Sequence, residues 1–160
     1  LDYPSKVRAL VLADAPAGLS EEIMTAAQEM FSMAQTMNGE ELAMATMKYN
    51  FTPEYIESHP EIMKKAIEVS DARDPASTFR AAEGLMKLDL KERLKEIKIP
   101  TIIANGEDDP LIPLSQAKYL KKHIKGASLV VLKKGRHMAI IEKADEFNRK
   151  VLNFLNKVNA

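Results

Sequence analysis

The sequence predicts an α/β fold: a parallel sheet of three strands with flanking helices and one large helical insert. Three short, mostly apolar runs at 7–13, 101–104 and 128–132 have the composition of buried strands. The segments between these runs have apolar residues at helical spacing. Residues 40–97 show no pattern typical of a strand. Strands that alternate with helices are typical of parallel sheets, so we expect the helices before the second strand to form a separate layer.

The first strand is expected at 7–13, where the run VRALVLA lies between Pro4 and Asp14. A run with so few polar residues is typical of a strand that is buried on both faces. The pattern then changes to helical spacing over 20–37, with Ser20 as the expected N-cap.

The insert is expected to consist of several short helices, because capping residues and prolines mark helix starts within it. The expected starts are Thr52-Pro53, Pro60 and Asp74-Pro75. We therefore divide the chain into a first core strand (1–19), a helical insert (20–97) and a second core part (98–160).

The second core part has the order strand, helix, strand, helix. The strands are expected at 101–104 and 128–132, with a helix over 114–124 between them. An amphipathic pattern over 144–158 predicts a closing helix.

Charge and composition exclude several classes of function. Lys and Arg together number 23, as do Asp and Glu, so the chain lacks the basic excess of a nucleic-acid or membrane-surface binder. The absence of cysteine excludes a thiolate nucleophile, a disulfide framework and a cysteine-based metal site. No apolar run approaches the ~18 residues of a membrane span, and no signal-peptide pattern is present. We expect a cytoplasmic protein whose partner is a small molecule, with neither a cofactor nor a metal.

Two loops carry residues with catalytic chemistry. Asp109 follows the second strand and His137 follows the third. Functional groups of open parallel sheets lie beyond the carboxyl ends of the strands, so this carboxylate and this imidazole are expected near one another. Asp108 is a second acid in the same loop.

The spacing of residues in these loops resembles the C-terminal part of the α/β-hydrolase family. A strand ending in G-x-x-D-x-x-x-P precedes a strand leading to a histidine, with a glutamate five residues on and an aromatic residue five further. The matching residues are Gly106, Asp109, Pro113, His137, Glu142 and Phe147. The resemblance covers the whole chain and implies that the insert is a helical cap, most similar to that of 3-oxoadipate enol-lactonase-type and carboxylesterase-like enzymes.

The resemblance implies a role for each residue of the pair. Asp109 would accept a hydrogen bond from one ring nitrogen of His137, and His137 would be the general base of a catalytic triad. The Gly and Pro spacing favours Asp109 over Asp108 as the acid. Arg136 stands where the family often has glycine, so a cation beside the histidine could change its pKa or cover the pocket.

The nucleophile of such a triad is not found in this sequence. A G-x-S-x-G motif is absent: Ser20 and Ser128 each follow a glycine by two residues, but neither precedes one. We therefore expect a fragment whose nucleophile and oxyanion hole lie upstream of Leu1, and which is inactive alone.

Two functional hypotheses follow. In the first, the full-length parent hydrolyses an ester, lactone or related bond of a small, partly apolar substrate. In the second, the chain is a non-catalytic binding or assembly module derived from the same fold. The first strand would then present an exposed apolar edge, which predicts a homodimer or a swapped assembly. His59 and His123 are given no role, and the methionines of the cap either pack its helices or form a pliable roof over a pocket.

Overall fold

The computed structural model describes residues 1–159, which contain three strands and eight α-helices. The strands are β1 (Leu10–Ala13), β2 (Thr101–Gly106) and β3 (Ser128–Leu132). The helices are α1 (Glu21–Thr36), α2 (Gly39–Asn50), α3 (Pro53–Ser58), α4 (Pro60–Asp71), α5 (Pro75–Met86), α6 (Leu114–His123), α7 (Ala139–Glu142) and α8 (Ala144–Asn159). Short 3-10 helices lie at Pro4–Lys6 and Lys91–Glu96. None of the helices within 1–159 is long and apolar enough to cross a membrane.

The three strands form one parallel sheet in the order β1, β2, β3. Leu10 lies opposite Thr101, and Ile102 lies opposite Ser128. All six residues of the central strand β2 are buried. The predicted fold class, a three-stranded parallel sheet with flanking helices, is confirmed.

The expectation for β1 is wrong in both its start and its burial. The strand begins at Leu10 rather than at position 7, and the side chains of Val7 and Val11 are 41% and 36% exposed. The reason is its place at the edge of the described sheet, where β2 is its one hydrogen-bonded neighbour. An apolar run of this kind does not reveal whether a second neighbour is present.

The helices of the second core part pack against the sheet as the sequence predicts. Both α6 and α8 contact β2 and β3. The cluster of buried side chains at the centre of this packing comprises Ala17, Leu94, Ile103, Ala117, Leu120 and Ile124. It joins residues before and after the helical insert, so one core supports both parts of the chain.

The insert contains the helix starts that the sequence predicts. Ser20 accepts a hydrogen bond from the Ile23 amide at 3.4 Å, and Thr52 accepts one from the Tyr55 amide at 3.3 Å. Asp74 caps α5 in the same way, and prolines occupy the first positions of α3, α4 and α5. These caps satisfy amides that a helix terminus leaves without partners, which is why short helices begin where they do.

The two ends of the insert meet at one point. The amide of Leu90 donates to the carbonyl of Ala17 at 2.8 Å, and Gly18 and Asp89 form an isolated antiparallel bridge. The five helices of the insert therefore begin and end at adjacent points of the chain, and residues 91–100 then lead to the start of β2. Within the insert, α2 packs against both α1 and α4.

Candidate active site

Asp109 lies in the loop after β2, and the backbone of that loop fixes its carboxylate. Its Oδ1 accepts hydrogen bonds from the amides of Leu111 at 2.8 Å and Ile112 at 3.0 Å. The side chain has no exposed surface. Because both amides engage Oδ1, Oδ2 remains to meet a second partner.

That partner is His137. Its Nδ1 lies 3.0 Å from Oδ2 of Asp109, and 28% of the His137 side chain is exposed. Two hydrogen bonds attach the backbone of the histidine loop to the end of α2. The amide of His137 donates to the carbonyl of Tyr49 at 3.3 Å, and the amide of Met138 donates to the carbonyl of Asn50 at 2.8 Å. With Nδ1 donating to the carboxylate, Nε2 is the ring nitrogen that can accept a proton.

The surroundings of His137 favour its protonated form. Burial of the ring lowers its pKa, but the hydrogen bond to Asp109, the charge of Asp109 and the charge of Asp14 each raise it, and the net result is a raised pKa. The imidazolium that forms when the ring accepts a proton is therefore stabilised by two carboxylates.

Asp14 is a functional candidate that the sequence analysis missed. It follows β1 directly, and its Oδ1 accepts a hydrogen bond from the amide of Gly106 at 2.9 Å. Burial, reinforced by the neighbouring charge of Asp109, raises the pKa of Asp14 to about 6, although the Gly106 amide and His137 act in the opposite direction. Its position could have identified it, because it follows the carboxyl end of β1, at the same edge of the sheet as Asp109 and His137.

Gly106 allows the loops of the acid and the histidine to touch. A Cβ at this position would lie 2.3 Å from the carbonyl oxygen of Arg136 and 2.5 Å from that of Gly135. No side chain can be accommodated at such distances from backbone atoms. The glycine of the G-x-x-D spacing is therefore a packing requirement that brings the two loops together.

Glu142 links the histidine loop to the helical insert. Glu142 is buried, with 9% of its surface exposed. One carboxylate oxygen accepts hydrogen bonds from the hydroxyl and the amide of Thr52, the latter at 3.3 Å, and the other accepts from the amide of Arg136 at 3.4 Å. The glutamate five residues after the histidine therefore joins α7 to the start of α3.

Other candidate residues lie away from this pair. The guanidinium of Arg136 donates to the carbonyl of Lys48. Asp108 is exposed. His59 joins α3 to α4 and stacks on Tyr55, whereas His123 ends α6 and is half-buried. Neither of these two histidines lines the pocket beside His137.

A cavity of about 390 Å³ lies between the helical insert and this pair. His137, Leu111 and Ile112 line it on the side of the core. The lining from the insert is mostly apolar and includes one methionine, Met30, so most methionines of the insert do not form its roof. Arg73 also lines the cavity, and the sequence analysis missed it.

Comparison with known proteins identifies the family. The family model for the alpha/beta hydrolase fold matches residues 1–144. The chain belongs to this family.

Proteins with related sequences match nearly all of this chain. It is 30% identical to serine hydrolase BPHL of Mus musculus, over 96% of this chain and 48% of that protein. It is 25% identical to 3-oxoadipate enol-lactonase 2 of Acinetobacter baylyi, over 99% of this chain and 58% of that protein. The crystal structure of the enol-lactonase from Burkholderia xenovorans LB400 superposes with a TM-score of 0.82 at 25% identity, over 94% of this chain and 56% of that one.

This alpha/beta hydrolase chain thus spans about half the length of the relatives it matches. Within that half, an acid and an imidazole are held at hydrogen-bonding distance beside an apolar cavity. Such an arrangement can accept a proton at Nε2 and hold the resulting charge.

Proposed function

We propose that this chain supplies the acid and the base of a catalytic triad that hydrolyses an ester, lactone or related bond of a small, partly apolar substrate. The observation that carries the proposal is the 3.0 Å contact between Asp109 and His137, beside a cavity of mostly apolar lining. The enol-lactonase and serine hydrolase names of two relatives support the reaction class.

In the proposed reaction, Nε2 of His137 accepts the proton of a hydroxyl nucleophile as the nucleophile's oxygen bonds to the substrate carbonyl carbon. Asp109 holds the ring in the required tautomer and stabilises the imidazolium. The imidazolium then gives its proton to the departing alkoxide, and a water molecule repeats both steps to release the acid.

The nucleophile belongs to a segment outside these 160 residues, since none of the serines here lies in a G-x-S-x-G motif. The chain by itself is then inactive, and the intact gene product that contains it is the enzyme. A hydrolysis assay should therefore use that gene product, with this chain alone as the comparison.

The test is hydrolysis of 4-nitrophenyl butyrate by three variants of the gene product. We expect His137→Ala to lower kcat by about 100- to 10,000-fold, the usual contribution of a general base. Asp109→Asn should lower kcat and also move the acid limb of the pH profile to lower pH, because the Asp109 charge raises the pKa of His137. His123→Ala is the matched control and should behave as the wild type. Full activity in His137→Ala would refute the proposal.

The second candidate function, a non-catalytic assembly module, is favoured by the exposed Val11 on the edge strand β1 and the exposed Val7 before it. A fluorophosphonate probe distinguishes the two functions, because it labels an activated serine. If the probe labels the wild-type gene product and does not label the His137→Ala variant, the enzyme hypothesis is supported. The module predicts no labelling of the wild type.

A further inference from the structure

Arg73 places an incompletely paired guanidinium at the cavity that His137 lines. The residue lies between α4 and α5, on the cap side of that cavity. Its Nη2 donates to the carbonyl of Ala34 at 3.3 Å. Its Nε is buried and has no hydrogen-bond partner among the described residues. A buried N–H group without an acceptor is costly, so its presence calls for a partner.

The composition of the cavity indicates what that partner is. Among the described residues that line it, Arg73 carries the one permanent charge, and no Asp or Glu is present. Thr46 and Ser70 add hydroxyl groups, and most of the remaining lining is apolar. A guanidinium presents N–H donors in a planar fork that fits the two oxygens of a carboxylate, and apolar surroundings strengthen that pairing.

The cavity is bounded by both functional groups. Arg73 comes from the cap, whereas His137 comes from the core loop after β3, and both line the same volume of about 390 Å³. That volume suits a small molecule. A ligand held by Arg73 therefore has its other end available to the imidazole.

We propose that Arg73 binds a carboxylate of the substrate, so that the enzyme selects esters or lactones carrying a carboxylate away from the bond that is cleaved. This inference rests on the proposed function and narrows its substrate class. Arg73 is a specificity-determining residue, and it takes no part in the proton transfers at His137.

The test compares two substrates of the intact gene product that differ in one group. They are the mono-4-nitrophenyl ester of glutaric acid and the 4-nitrophenyl ester of glutaramic acid, which end in a carboxylate and a neutral amide respectively. We expect the wild type to prefer the carboxylate substrate in kcat/KM by about 10- to 100-fold, the range for a hydrogen-bonded charged group. Arg73→Met should abolish most of this preference.

Two further variants separate binding from packing. Arg73→Lys keeps the charge but loses the planar fork, so its preference for the carboxylate should be intermediate. Arg80→Met is the matched control, because the Arg80 side chain is 69% exposed and does not line the cavity. It should retain the wild-type ratio. An unchanged ratio in a folded Arg73→Met variant overturns the proposal and leaves the triad proposal intact.

Calorimetry of the wild type keeps the inference testable if the Arg73 variants do not fold or hydrolysis is absent. The probes are monomethyl glutarate and the methyl ester of glutaramic acid. Tighter binding of the carboxylate probe supports the inference, even for a gene product without hydrolase activity, in which case the proposed function alone fails. Equal affinity for the two probes, or binding of neither, overturns it.

Discussion

At the scale of single residues, two carboxylates approach one imidazole from different strands. Asp109 accepts two backbone amides and contacts the ring, whereas Asp14 accepts one amide, from Gly106. With its pKa raised to about 6, Asp14 gains or loses its charge within the pH range in which an imidazole commonly titrates. The negative charge around His137 therefore varies with pH, even while Asp109 stays in place.

The raised pKa of Asp14 predicts a pH-dependent gain of stability in Asp14→Asn. The folded pKa of about 6 exceeds the ordinary value of 3.8, so the folded state holds the proton more tightly and ionisation of Asp14 favours unfolding. This destabilisation is absent below about pH 3.8 and complete above about pH 6. Asparagine cannot ionise, keeps an acceptor for the Gly106 amide, and tolerates the positive φ of 43° at this position.

We expect the free energy of unfolding of Asp14→Asn to exceed that of the wild type by about 1–2 kcal/mol at pH 8, because solvent screens part of the charge of the half-buried Asp14. At pH 4 we expect little gain in stability. Urea unfolding at both pH values measures the difference. Asp108→Asn, which changes an exposed acid in a neighbouring loop, serves as the control and should show no such dependence. A gain of equal size at both pH values would contradict the assignment to Asp14.

At the scale of elements, the histidine loop and the helical insert form one connected unit. Glu142, at the end of α7, accepts hydrogen bonds from Thr52 before α3 and from Arg136. The amide of His137 donates a hydrogen bond to a carbonyl at the end of α2. A movement of the insert therefore also moves the backbone that carries the imidazole.

Removing the buried carboxylate by Glu142→Ala leaves two amides and one hydroxyl without their acceptor. We expect a loss of unfolding free energy of about 1–3 kcal/mol, the cost of buried groups left unpaired. Urea denaturation provides the measurement, and increased amide hydrogen exchange at the start of α3 should accompany it. Glu57→Ala, an exposed position on α3, is the matched control, and an equal loss in both variants would argue against the link.

The sequence predicts elements well where local chemistry sets their limits. The prolines after Thr52 and Asp74 mark helix starts, and the strand at Ser128–Leu132 has its predicted bounds. Features set by distant parts of the chain could not be predicted. Asp14 resembles an ordinary turn residue until the Gly106 amide, 92 positions later, is brought against it.

The same limit applies to Arg73 and to β1. An arginine near a helix end is usually a surface residue, and only the packing of the cap over the core turns this one toward the cavity. For β1, the apolar run is compatible with a central or an edge strand, and the number of neighbouring strands decides between them.

At the scale of the whole molecule, β1 is an edge strand of the described sheet and exposes an apolar side chain, that of Val11. We propose that this edge pairs with a second copy of the chain, giving a homodimer or a swapped assembly. Val11→Lys should weaken the association, because a charge on an edge strand opposes pairing between strands. Sizing by light scattering should show the wild type larger than a monomer and the variant shifted toward one.

Val69→Lys tests whether any added charge has this effect. Val69 is 59% exposed and lies on α4, away from β1 in the chain, so this variant should keep the wild-type size. A wild-type chain that remains monomeric over a wide concentration range would rule out the proposed pairing.

The hydrogen bond from Leu90 to Ala17 makes the helical insert a cassette. Since the five helices begin and end at adjacent residues, the length and content of what lies between have little bearing on the alignment of β1 with β2. Evolution, or a protein engineer, can exchange much of this cassette as a block. The acid and imidazole can thereby serve a new ligand, provided that the exchanged helices keep the contacts of Tyr49 with the His137 amide and of Thr52 with Glu142.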